Sequence, residues 1–154
     1  MKKIISLFVF VSIFTEMYGQ SAAKAVYAEI GGPGLASANF DMRFQPREDG
    51  FGFRVGVGGF AIDGANILTV PVGINYLIGK DQKNYFEIGA GFTYINAKDT
   101  YASDNFSSSF GNLTLGYRLA PANGGFFFKA AITPVFGSGF FIPYYAGIAF
   151  GYKF

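Results

Sequence analysis

The 154-residue chain contains no cysteine, no histidine and no tryptophan. Without cysteine there is neither a disulfide framework nor a lipoprotein-type attachment site for lipid. Without cysteine and histidine the commonest zinc ligands are missing, so the sequence predicts no metal site and no cofactor. Neither sign of charge predominates, because 12 Lys and Arg against 10 Asp and Glu leave a net charge of only +2. The sequence therefore shows no footprint for nucleic acid.

The N-terminal apolar run is too short to span a bilayer as a helix. It covers residues 4–14, whereas a transmembrane helix needs about 20 apolar residues. Lys2 and Lys3 precede the run and a more polar stretch to Gln20 follows it, a pattern typical of a secretory signal peptide. We expect cleavage after Gly19, so that residues 1–19 are removed and residues 20–154 form one mature domain.

Glycine and aromatic residues are abundant, with 22 Gly, 20 Phe and 10 Tyr. Glycine averages only about 7% of ordinary proteins. In strands, glycine allows tight curvature and close approach of backbones, and aromatic residues are favoured at the two faces of a membrane. The composition therefore favours a β-barrel in a membrane.

The end of the sequence is the most informative segment. Along residues 144–154, large or apolar side chains alternate with small or charged ones, which in a strand places the two sets on opposite faces. One face carries Tyr144, Ala146, Ile148, Phe150, Tyr152 and Phe154, and the other carries Gly147, Ala149, Gly151 and Lys153. With Phe154 last and Tyr152 two before it, this ending resembles the C-terminal strand of bacterial outer-membrane β-barrels. The resemblance implies export through the periplasm, residence in the outer membrane, contact with its lipid, and recognition of Tyr152 and Phe154 by the barrel-assembly machinery.

Turn-forming residues divide the mature chain into segments near the length of a tilted membrane strand, about 9–11 residues. Eight strands are predicted, at residues 25–31, 36–44, 51–61, 67–78, 85–96, 110–120, 126–136 and 144–154. The longest connection predicted is residues 98–109. Pro71 and Pro134 each remove a ladder donor, so we expect a bulge at each, with a shift in which residues face inward.

Charged residues within the predicted strands all lie opposite the large apolar side chains. They are Glu29, Asp41, Arg43, Arg54, Glu87, Arg118, Lys129 and Lys153. An arginine or lysine facing lipid at the midplane costs about 2–4 kcal/mol, so a charge-free outward face suits a membrane barrel. A soluble barrel of the lipocalin type would need apolar residues inside and polar residues outside, since its outer surface contacts water. We expect the inward positions to hold only glycine, alanine, threonine, asparagine and these charges.

The fold predicted is an all-β, eight-stranded, antiparallel up-and-down transmembrane barrel, similar to the small OmpA/OmpX-type barrels. Eight strands enclose a lumen that side chains can fill. Because unpaired buried charges are costly, Glu87, Arg118 and Lys129 are expected to pair at one level. Asp41 and Arg43 are expected to meet Arg54 across the second hairpin. Two outward aromatic girdles are also predicted, one with Phe44, Phe53, Tyr76, Phe86, Tyr117, Phe126, Phe128, Tyr152 and Phe154, and one with Tyr94, Phe136 and Tyr144.

Three classes of function are compatible with this pattern. The favoured one is a structural or surface-interaction barrel with a closed lumen; the alternatives are a narrow pore for ions or small solutes and a lipid-modifying enzyme. Barrel enzymes of this architecture use histidine, which this chain lacks, and an arginine-balanced pair such as Glu29 and Asp41 is more often structural than catalytic. Residues 98–109 are expected to form a solvated polar loop, with contact to a ligand, lipopolysaccharide or calcium as the alternative.

Overall fold

The structure is a computed structural model that describes residues 22–62, 65–99 and 105–154. Among these residues no helix is long and apolar enough to cross a membrane. The predicted signal peptide, Asp63 and Asp104 lie outside the described residues. The described ranges form ten strands: β1 (Lys24–Gly31), β2 (Ala36–Arg43), β3 (Gly50–Ile62), β4 (Ala65–Ile78), β5 (Asn84–Asp99), β6 (Asn105–Leu119), β7 (Gly125–Ile132), β8 (Val135–Gly137), β9 (Phe140–Ile142) and β10 (Ala146–Lys153).

The strands close into an antiparallel barrel. The sheet runs β5-β4-β3-β2-β1-β10-β7-β6, and β5 pairs with β6 to close the ring. Short β8 continues β7 along β6, and β9 folds back on β8 as a small hairpin. The predicted eight-stranded up-and-down barrel is therefore confirmed.

The predicted bulges at the two prolines are wrong. In β4 the register against β5 passes through Pro71↔Thr93 without interruption. Along β6 the register is the same on both sides of Pro134, whose carbonyl accepts a hydrogen bond from the Leu113 amide at 2.9 Å. On the β3 side the ladder is interrupted opposite Pro71, but the register is the same on both sides of the gap, at Val55↔Val72 and Gly58↔Thr69. Neither proline therefore shifts which residues face inward.

The strands are unequal in length, which the sequence did not indicate. Strands β3, β4, β5 and β6 have 13, 14, 16 and 15 residues and form what we term the tall wall. Strands β10, β1 and β2 have 8 residues each and form the low wall. The extra height lies at the end where β1 turns into β2, because β3 continues past its last pair with β2, Gly58↔Ser37.

The predicted loop at residues 98–109 is largely strand, which corrects the interpretation of that segment. β5 continues to Asp99 and β6 begins at Asn105, with pairs such as Asn96↔Ser107 between them. The serines and asparagines suggested a loop, but the two adjacent strands satisfy each other's backbone groups, and this pairing overrides side-chain preference.

The aromatic residues predicted to form girdles lie on the outside of the barrel. Tyr144 is the most exposed of them, at 90%, and Phe53 and Phe128, the most covered, are still half-buried at the outer surface. Neighbouring rings contact one another, as in the edge-on pair of Phe51 and Tyr76, whose centroids are 4.7 Å apart. No ring of the predicted girdles points into the lumen.

Candidate functional site

The lumen is filled by a network of ion pairs centred on Asp41. Arg118 donates to both carboxylate oxygens of Asp41, at 2.9 and 3.0 Å. Arg43 donates to the same carboxylate at 2.6 Å, and the Asn75 side-chain amide donates to it at 2.5 Å. Arg43 also donates to the Asn75 side-chain oxygen and, at 2.9 Å, to the Gly50 carbonyl.

A second part of the network leads from Arg118 to Arg54 through two glutamates. Arg118 Nε donates to Glu87 at 2.8 Å. The Lys129 ammonium lies 3.3 Å from Glu87 and 3.5 Å from Glu29, and Arg54 donates to Glu29 at 3.3 Å. Cations and anions thus alternate without a break along the line of contacts. Their order in space is Arg54, Glu29, Lys129, Glu87, Arg118, Asp41 and Arg43.

Each carboxylate in this chain bridges two cations, and every member is at most 5% exposed. Four cations against three carboxylates leave the chain with one excess positive charge. Such close alternation compensates the desolvation of the buried charges. We term these seven residues the lumen network.

One of the two expectations about pairing needs correction. Glu87, Arg118 and Lys129 do come together, but Arg54 does not pair with Asp41, although the two residues are register partners. The oxygens of Asp41 are already occupied by Arg118, Arg43 and Asn75, so Arg54 turns to Glu29 on the next strand but one.

Lys153 lies apart from the lumen network, at the barrel end where Lys24 and Phe154 meet. Its ammonium is 2.6 Å from Glu48, in the turn between β2 and β3. It also donates to the carbonyls of Pro121 and Ala122, at 3.0 and 2.9 Å, in the turn between β6 and β7. One side chain therefore joins two turns across this end of the barrel, a role for Glu48 that the sequence did not indicate.

Large apolar side chains also fill this end of the lumen, contrary to the expectation of small and polar residues only. Tyr27 stacks on Phe127 with ring centroids 4.7 Å apart. Lys129 lies 5.7 Å from the Tyr27 ring and Arg118 lies 5.2 Å from the Phe127 ring, so both cations gain contact with a π-face. The sequence did contain a signal for an inward Phe127. It lies two residues from Lys129 in β7, and residues two apart in a strand share a face.

The opposite end of the lumen is closed by the turn between β1 and β2. Gly32, Pro33 and Gly34 fold inward and are buried; we term them the outer plug. Thr93 donates its hydroxyl hydrogen to the Pro33 carbonyl and Thr69 donates to that of Gly34, both at 2.8 Å. Both threonines have no exposed surface.

The outer plug rests on the lumen network. Gly32 has φ of +65°, and a Cβ placed on it would lie 2.8 Å from the carboxyl carbon of Glu29. Glycine is therefore required there both for the left-handed backbone and for the space above Glu29. From sequence this turn was predicted only as a connection.

The space left inside the network is small. A cavity of about 10 Å³ is bordered by Arg54, Asn75, Glu87, Asn112 and Thr114, together with neighbouring residues. That is room for about one water molecule. Both polar atoms of the buried Asn112 side chain lack a protein partner. Among the described residues, no group of three or more acidic, histidine or cysteine side chains is arranged to hold a metal ion.

Comparisons with solved structures agree with this architecture. The N-terminal β-barrel domain of OprF from Pseudomonas aeruginosa matches with a TM-score of 0.64 and 14% identity, over 88% of this chain and 98% of that domain. The outer-membrane protein Ail of Yersinia pestis, solved in a phospholipid bilayer nanodisc, matches with a TM-score of 0.55 and 11% identity, over 87% and 99%. No family model and no curated protein matches the sequence. The chain thus has the fold of the small OmpA/OmpX-type outer-membrane barrels.

Proposed function

We propose that this protein is an integral outer-membrane barrel with a closed lumen, acting as a structural or surface-interaction protein of the bacterial envelope. The observation that carries the proposal is the lumen network, which crosses from Arg54 on β3 to Arg118 on β6 and returns to Arg43 on β2 without a gap. A path for ions would require several of these pairs to separate. Removing one partner of a buried pair typically costs about 3–5 kcal/mol, so the closed state is strongly favoured.

Residence in the membrane is supported by the outward face. Between the two aromatic girdles, the described strands present no charged residue on their outward register. The outward side chains include Val55, Ile74, Ile88 and Leu113, which are 38–56% exposed. In water, a continuous apolar surface of this size would favour association, whereas lipid accommodates it.

A non-enzymatic role is supported by the state of the lumen carboxylates. Glu29 and Asp41, the acid and base pair considered from sequence, each contact two cationic groups. Asp41 borders a cavity that holds about one water molecule. Glu29 lies directly against Gly32 of the outer plug, so neither carboxylate faces a substrate-sized space.

Tyr152 and Phe154 support a further part of the proposal, recognition by the barrel-assembly machinery. Their rings lie on the outer surface, 59% and 56% exposed, at the end of β10, the strand that pairs with β1, and directly after it. We expect Phe154→Ala to lower the yield of inserted barrel in cells, whereas Phe150→Ala, on the same face but within the strand, leaves it near wild type.

Two measurements test the location and the closed lumen separately. The mature protein should fractionate with outer membranes and migrate differently in detergent gels before and after heating. Liposomes containing it should not swell in small sugars, in contrast to liposomes containing a general porin. Recovery as a soluble periplasmic monomer would refute the membrane location, and rapid swelling would favour the narrow-pore alternative.

A further inference from the structure

The inward face of the tall wall changes from polar to apolar above the outer plug. Ile95 follows Thr93 by two residues in β5, and Ile67 precedes Thr69 by two in β4, so both isoleucines share the face of the buried threonines. Phe60 lies on the same face of β3 and pairs directly with Ile67. Above the threonines, this side of the barrel mouth therefore presents mainly hydrocarbon, with Ser108 as a polar neighbour of Ile95.

The same apolar face continues onto the β8–β9 hairpin. Phe110 shares the inward face of β6 with Asn112, which is 1% exposed. Its ring lies 6.5 Å from that of Phe140, edge-on, and Ile142 is on the Phe140 side of β9. We term the whole set the mouth face: Phe60, Ile67, Ile95, Phe110, Phe140 and Ile142.

Protein atoms do not cover the mouth face fully in the described part of the chain. Phe140 and Ile142 remain 43% and 49% exposed. The polar groups below them are not available to a ligand, since the Thr69 and Thr93 hydroxyls already donate to the outer plug. Apart from Ser108, which is exposed and pairs with Ile95 on the same face, an occupant of this space would meet only apolar side chains of the mouth face.

The low wall leaves this space open to the side. β1 ends at Gly31 and β10 begins at Ala146, well below the top of the tall wall. At the top of the low wall the outward residues are also apolar: Ile30 is 70% exposed and Tyr144 is 90% exposed. Apolar side chains of the lipid-facing surface thus reach the top of the low wall, beside the opening to the mouth face.

We propose that the mouth face holds an acyl chain of an outer-leaflet lipid, which enters over the low wall and lies above the outer plug. Burial of the mouth face against hydrocarbon removes exposed aromatic and aliphatic surface from water, which is the driving force. The lipid does not open the lumen, because the outer plug and the lumen network lie beneath it.

Methyl NMR in lipid nanodiscs tests this directly. The probe is phosphatidylcholine carrying a nitroxide on its acyl chain, added to nanodiscs that contain isoleucine- and leucine-labelled protein. Outward Ile74 and Ile88 should lose methyl intensity, buried Leu77 should keep it, and Ile67 and Ile95 should lose it although they face inward. Intensities at Ile67 and Ile95 that match Leu77 would overturn the proposal. Broadening of these two by a water-soluble gadolinium chelate instead of the lipid probe would also overturn it.

A pair of neighbouring phenylalanines supplies a matched control. Phe140 belongs to the mouth face, whereas Phe141 pairs with Phe136 on the outward face of the same hairpin and is 64% exposed. Phe140→Ser should restore methyl intensity at Ile95 in the presence of the nitroxide lipid, and Phe141→Ser should not. Equal behaviour of the two variants would contradict the proposal; if Phe140→Ser does not fold, Ile142→Asn replaces it.

Discussion

Arg118 and Asp41 face each other across the full width of the barrel and join through two hydrogen bonds of 2.9 and 3.0 Å. They are 77 residues apart in sequence and lie on β6 and β2, which are on opposite sides of the ring of strands. A planar guanidinium holding both oxygens of a carboxylate fixes distance and orientation together. This contact therefore joins opposite walls of the barrel and obstructs the lumen at this level.

Loss of the Glu87 carboxylate should destabilise the barrel strongly. Glu87→Ala leaves Lys129 with one partner and Arg118 without its Nε acceptor, both in surroundings at most 2% exposed. We expect the free energy of unfolding in detergent to fall by about 3–5 kcal/mol. Asp49→Ala is the control, because the exposed Arg47–Asp49 pair is worth only about 0–1 kcal/mol. Equal midpoints for the two variants would mean that the lumen network contributes little stability.

The space above Glu29 should be as important as the backbone geometry of Gly32. Gly32→Ala and Gly50→Ala both place a side chain at positive φ, +65° and +85°, which costs about 1–2 kcal/mol. A Cβ at Gly50 meets nothing within 4 Å, whereas one at Gly32 meets the Glu29 carboxylate. Chemical denaturation should show Gly32→Ala to be the less stable variant. Equal free energies of unfolding for the two variants would show that the outer plug can move away from Glu29 at little cost.

Charge on the outward face should be tolerated according to depth. Leu113 lies midway along the outward register of β6 and Tyr117 lies in the aromatic girdle. We expect Leu113→Arg to lower the free energy of unfolding in lipid by about 2–4 kcal/mol and Tyr117→Arg by about 0–1 kcal/mol. Refolding yields into vesicles should follow the same order. Equal losses of free energy for the two variants would mean that Leu113 does not lie deeper in the membrane than Tyr117.

The turn between β4 and β5 should loosen in acid. The Asp81 carboxylate accepts hydrogen bonds from the side-chain amide of Asn84 and from the backbone amides of Asn84 and Lys83, at 2.5, 2.7 and 3.1 Å. These bonds, the Asn84 side chain foremost, lower the pKa of Asp81 below its ordinary value of 3.8.

A lowered pKa in the folded state means that the contribution of Asp81 is complete above its unfolded pKa and is lost as the pH falls through its folded pKa. Exchange of the Lys83 and Asn84 amides, corrected for intrinsic rates, should therefore become faster below the ordinary pKa of aspartate, about 4. Asp81→Asn serves as the control without a titrating group. The same pH response in that variant would assign the effect to another residue.

Alternation along each strand was sufficient to predict which residues face inward, because side chains in a strand have a period of two. Lys129 and Leu113 are found on the faces predicted for them. The meeting of Glu87 with Arg118 and Lys129 was predicted, but the partner of Arg54 was not, since the Arg54–Glu29 contact depends on how far each strand is staggered around the ring. The outer plug was missed for a related reason: its burial follows from the difference in height between the two walls, which depends on strand pairing and not on local composition.

Single-channel recording in planar lipid bilayers tests the closed lumen most directly. The account predicts no stable conductance for the wild-type barrel under conditions in which a general porin conducts. Glu87→Ala, which removes two ion pairs from the lumen network, should produce brief and irregular openings if it inserts. A large, steady conductance from the wild-type protein would contradict the closed lumen, because Arg118 and Asp41 could not then be joined across it.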